Sequence, residues 1–226
     1  ELQPVATQLK KTNDVYRITG KNFSCEVSRT TGQILSLKQG KQEVLNGGPW
    51  LMALPLNGGG CYPNHNANTP LFNDICTEWK PAEVDAIKDG NDVIVSVRGS
   101  YKEFEGSYRL IINAGGKLSV SYSFDALADV NPRQWGLVFE APATFDKTFW
   151  RRDGLWSVYP DDHISRPVGE AELFYSGLPS HLNPRVEPSW SWSLDYNELG
   201  SNDFRPTRRN IWYAGLTDHA GNKVTA

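Results

Sequence analysis

Asp161, Asp162 and His163 stand side by side in the run YPDDHISR, directly after Pro160. Two carboxylates and an imidazole in succession supply oxygen and nitrogen donors that can hold a divalent cation or orient the hydroxyls of a sugar. Adjacent residues rarely all point at one ion, and the same run also suits a polar turn whose Asp side chains bond nearby backbone amides. No metal ligand set and no cofactor is assigned from it. The aromatic residues around it carry a further hint. The chain holds eight tryptophans in 226 residues, and Trp150, Trp156, Tyr159, Trp190, Trp192 and Tyr196 crowd this region and its approach. A ring face packs against the C–H face of a pyranose while neighbouring polar groups bond its hydroxyls. Trp156, Tyr159, Asp161, Asp162, His163, Trp190 and Trp192 are therefore the candidate carbohydrate-binding set. A second reading stays open, because SWSWS alternates with period two and puts Trp190 and Trp192 on one face of any strand, where they can serve as core or interdomain packing. His65, among asparagines in YPNHNANTP, has no acidic or second imidazole partner nearby in sequence and reads as a solvated or turn histidine.

The elements that must position these residues are β-strands. VYRITG, FSCEVS and QILSLK are short alternating or β-branched runs, and Gly32 in RTTG suits a hairpin between the last two. AEVDAIK and DVIVSVRGS flank Asp89-Gly90, and GSYRLIIN and KLSVSYSFDA flank Gly115-Gly116, so both pairs read as hairpins. No stretch of helical period is long enough to cover a sheet. The reading is an all-β, antiparallel sandwich. Two long segments, 57–76 and 159–206, interrupt the strands, and connections of that length usually carry function or contacts to other domains.

Composition excludes several classes. The net charge is −3 with 23 scattered basic residues, which is not the footprint of a nucleic-acid binder. No apolar run approaches the roughly 20 residues of a bilayer-spanning helix, and the N-terminal ELQPVATQLKK lacks a signal-peptide core. Nucleic acid and membrane are not expected partners. Cys25, Cys61 and Cys76 are too few and too irregularly spaced for a disulfide framework or a zinc site, and read as ordinary thiols.

Residues 15–50, VYRITGKNFSCEVSRTTGQILSLKQGKQEVLNGGPW, resemble the opening of the C-terminal small-chain domain of family 2 glycoside hydrolases of the β-galactosidase type. TEWKPAEVDAI, QWGLVFEAPATFDKTFW and SNDFRPTRRNIWYAGLTD look like later landmarks of that domain, in the same order. The resemblance implies a galactose-mutarotase-like β supersandwich spanning residues 1–226 as one domain, cut at both ends from a larger enzyme. It also implies that the partners are the rest of that enzyme and carbohydrate. Such enzymes use two glutamates carried by a TIM barrel. No barrel pattern exists here, so no catalytic residue is assigned. Two departures leave galactose itself open as the sugar: the family's Trp-Arg-Ala-Pro-x-Asp-Asn-Asp segment reads LMALPLNGGG, and its Gly-x-Gly-Pro segment reads RRDGLWSVYPDD, keeping Tyr159 and Asp161. In the loop at 201–210 the resemblance makes Asn202 and Asp203 a turn, buries Phe204 and pairs Arg205, Arg208 and Arg209 with carboxylates of this or a neighbouring domain. The strand after it is expected to be an open edge or to flank an uncovered apolar strip.

Three functions follow from this reading: an accessory domain that is inactive alone, an autonomous carbohydrate-binding module, and a sugar mutarotase or epimerase. The last needs an imidazole and a carboxylate converging on one concave face, and only His163 and His181 are candidates for it. A periplasmic or extracellular compartment is what a glycan-degrading parent would suggest.

Overall fold

The computed structural model describes residues 6–55, 76–130, 132–153, 167–172 and 211–226. These residues fall into two units, residues 6–55, 76–130 and 132–142 in one and 143–153, 167–172 and 211–226 in the other. No helix occurs among them.

The larger unit opens with a meander. Strands β1 (Gln8–Lys11), β2 (Val15–Thr19), β3 (Phe23–Ser28), β4 (Ile34–Gln39) and β5 (Gln42–Leu45) form a five-stranded antiparallel sheet in chain order. A second meander, β7 (Lys80–Asp89), β8 (Asp92–Ser100), β9 (Phe104–Ile112) and β10 (Leu118–Ala126), forms a four-stranded sheet in the order β10-β9-β8-β7. Between them in sequence, β6 (Gly47–Pro55) pairs antiparallel with the distant β11 (Pro132–Glu140). The hairpins lie where the sequence places them. The turns contain Gly32, Gly90 and Gly116, each with positive φ.

Alternation along the strands decides which face is buried. Tyr16 and Ile18 of β2, Cys25 and Val27 of β3, Val93, Val95 and Val97 of β8, and Tyr108, Leu110 and Ile112 of β9 join one apolar cluster shared by both sheets. Fully burying an aliphatic side chain contributes about 1.5–3 kcal/mol, so these residues dominate the packing energy. Polar anchors then fix how the sheets sit on each other. The Tyr16 hydroxyl donates to the Val84 carbonyl at 3.1 Å. The Trp79 indole N–H donates to the Thr31 carbonyl at 2.9 Å, and the Thr7 hydroxyl donates to the Asn91 carbonyl at 2.6 Å. The outer ion pairs, such as Arg17 with Glu26 at 2.7 Å, are solvated and worth about 0–1 kcal/mol.

The smaller unit is a four-stranded antiparallel sheet in the order β13-β12-β14-β15, from β12 (Lys147–Arg152), β13 (Val168–Glu172), β14 (Ile211–Thr217) and β15 (Lys223–Thr225). The strand expected to form an open edge, β14, is interior to this sheet. It pairs with β12 along its length. On its other side it pairs with β15 only over Gly215–Thr217. At its start β14 itself is exposed, at Ile211, Trp212 and Tyr213, with Trp212 at 70%.

Gly32 and Gly90 separate two costs of adding a side chain. Both have positive φ, where an L-residue costs about 1–2 kcal/mol. A Cβ at Gly90 meets nothing within 4 Å, whereas one at Gly32 lies 2.6 Å from Val97 and 2.9 Å from the Tyr108 hydroxyl. Gly90→Ala should therefore lower stability by about 1–2 kcal/mol, and Gly32→Ala by about 1–3 kcal/mol more, because a packed interior yields little. Urea unfolding of the two variants checks this. Equal losses would show that the β3–β4 turn is not pressed against the second sheet.

Candidate functional site

The sequence-predicted sugar residues Trp156, Tyr159, Asp161, Asp162, His163, Trp190 and Trp192 lie outside the described residues, as do Asn202, Asp203, Phe204 and Arg205 of the Arg-rich loop. His65, Cys61, His181 and Tyr196 lie outside them too. Trp150 is described, and it is a packing residue. It sits on β12, only 2% exposed, opposite Gly169 of β13, and its ring leaves no room for a Cβ there.

Other side chains with chemical potential come into view. Asp146, just before β12, and His219, in the β14–β15 turn, are 73 residues apart in sequence and meet at 2.8 Å between Oδ2 and Nε2. A carboxylate that holds an imidazole is half of an acid–base arrangement. His219 is largely exposed, and no group of three or more His, Cys, Asp or Glu able to hold a metal ion occurs among the described residues. The turn that carries His219 is closed by its own side chains. The Asn222 side-chain amide donates to Asp218 Oδ2 at 2.7 Å and its backbone N–H to Oδ1 at 2.8 Å, which holds the Asp218 carboxyl below the usual carboxylate range. No local spacing announces the Asp146–His219 contact, because it depends on β12 pairing with β14.

A second feature was hidden by its own pattern. In KLSVSYSFDA, Tyr122 alternates with Val120 and Phe124 and so reads as core. Phe124 is buried, but Tyr122 is 39% exposed because β10 is the outermost strand of its sheet. Trp135 of β11, 43% exposed, meets the Tyr122 ring edge-on at 5.7 Å and the Phe104 ring at 6.2 Å. Leu127, immediately after β10, is also exposed. Tyr122 and Trp135 thus form an exposed aromatic pair beside β10, suited to ring stacking or to burial against another chain.

Burial disfavours the reactive thiolate form of both described thiols. Burial, with Glu26 beside it, pushes Cys25 up to about 12, and burial with Glu103 does the same for Cys76. Both are free and buried.

No family model matches the chain, and no curated protein matches it.

The thiolate is the reactive form, and it is the form that burial disfavours. Raising the pH from 7 to 9 therefore leaves Cys25 and Cys76 protonated in the folded protein. Iodoacetamide should label both slowly across that range and rapidly once urea unfolds the chain, as peptide-resolved mass spectrometry reads directly. Fast labelling of Cys25 in the native state at pH 9 would contradict its place in the core.

Proposed function

We propose that this chain is a non-catalytic β-sandwich domain of a family 2 glycoside hydrolase of the β-galactosidase type. In this reading it packs against, and helps to wall, the active site of a TIM barrel supplied by the rest of the parent enzyme. The observation that carries the reading is the order of the family-like segments and the elements they occupy. The opening segment runs through β2 to β6, TEWKPAEVDAI leads into β7, QWGLVFEAPATFDKTFW spans β11 to β12, and NIWYAGLT ends the series on β14. Each segment supplies a strand or a strand junction of an antiparallel all-β architecture, as a supersandwich of the galactose-mutarotase type would require. That finer fold class is part of the proposal.

The chemistry divides accordingly. Hydrolysis with retention needs an acid/base and a nucleophile on either side of the glycosidic bond, and both belong to the barrel. This domain contributes a wall that shapes the entrance and excludes water, with sugar contact through the aromatic loop residues Trp156, Tyr159, Trp190 and Trp192.

The purified 226-residue chain should therefore hydrolyse no aryl β-glycoside above background. Turnover by the pure chain that disappears when one of its own carboxylates is replaced would overturn the accessory role.

A further inference from the structure

The two meander sheets leave four outer strands, and three of them are guarded. β1 and β5 have only four residues each. β7 carries Lys80, Glu83, Asp85, Lys88 and Asp89, and a bulge lies between Pro81 and Glu83. Short edges, charges and bulges are the ordinary means of blocking pairing with another chain. β10 is neither short nor bulged, and its one charge, Asp125, stands next to its end. Its nine residues, LSVSYSFDA, contain no Lys, Arg or Pro, and it pairs with β9 from Leu118 to Ala126 without a register shift. Among the described residues no strand lies on its outer side. Ser119, Ser121, Tyr122 and Ser123 are exposed, and Trp135 and Leu127 extend the apolar surface beside it.

We infer that β10 is a pairing surface for a second copy of this chain, joined antiparallel about a two-fold axis at Tyr122. The occupant is argued from the strand's own sequence. Tyr122 is the middle of the nine residues. A two-fold register centred there sets Val120 opposite Phe124 and Leu118 opposite Ala126 on the apolar face. It sets Ser121 opposite Ser123 and Ser119 opposite Asp125 on the polar face. Apolar residues meet apolar residues, small polar residues meet one another, and no like charges face each other, which is what a self-complementary isologous contact requires. The two Tyr122 rings meet at the axis, each backed by Trp135. The result is an eight-stranded sheet continuous across the dimer, two copies of the four-stranded sheet β10-β9-β8-β7, in which the outward-facing N–H and C=O groups of β10 find partners.

Sedimentation velocity of the 226-residue chain, from micromolar to millimolar concentration, tests this with two variants of exposed serines that leave the core untouched. Wild type should dimerise reversibly. S121K/S123K sets lysine against lysine across the axis and should raise the dimer dissociation constant by about tenfold or more. S121K/S123E sets lysine against glutamate in the same register and should keep the dimer near wild-type strength. Circular dichroism melts of both variants confirm that the fold is intact. A wild type that stays monomeric, or that pairs only when another protein is added, overturns the proposal. So does S121K/S123K dimerising as well as wild type, and so does equal loss in both variants, which would show that Ser121 and Ser123 do not face each other.

Discussion

The contact between the five-stranded and four-stranded sheets is the constraint from which most other features follow. Neither meander can be stable alone, because each has one apolar face and the hydrophobic effect rewards only its removal from water. Val93, Val95, Val97, Leu110 and Ile112 from one side, and Ile18, Cys25 and Val27 from the other, solve the problem for both sheets at once. The rest is subordinate to that contact. The β3–β4 turn must be glycine at 32 because Val97 and Tyr108 of the facing sheet press on it. Trp79 and Tyr16 lie near the seam and place their polar atoms on backbone carbonyls of the opposite sheet, so that burying the rings leaves no donor stranded. The same burial disfavours the thiolate of Cys25.

A core shared by two meanders also decides where surface chemistry can occur. The inner faces are consumed, and the outer faces carry solvated ion pairs such as Lys38 with Glu43 and Arg17 with Glu26. What remains are the edges and the turns. The edge at β10 is long, uncharged along its middle and lined with aromatic rings, and in the smaller unit the β14–β15 turn displays His219 on Asp146.

Local pairing was legible in the sequence because it is local physics. Period-two alternation and glycine turns gave the β3–β4, β7–β8 and β9–β10 hairpins, each closed by a positive-φ glycine. Non-local pairing was not. β6 finds β11 across the intervening four-stranded sheet's worth of chain, and β14 becomes an interior strand only because β15 folds back onto it. Nothing in either segment's own pattern encodes the partner. Tyr122 shows the other limit of periodicity, which reports the face a residue occupies and not whether a neighbouring strand covers it. The candidate sugar residues from Trp156 to Trp192 lie outside the described residues; they were legible through aromatic and polar composition and, for Tyr159 and Asp161, through the family resemblance.

Native-state hydrogen exchange tests the shared core most directly. If the two sheets stand or fall together, the slowest amides of β3 in the first sheet and of β8 and β9 in the second should exchange through one global opening. They should then show the same opening free energy and the same steep dependence on denaturant. Two distinct plateaus, with one sheet exchanging through an opening that leaves the other protected, would contradict the account, because each meander would then hold its apolar face without its partner.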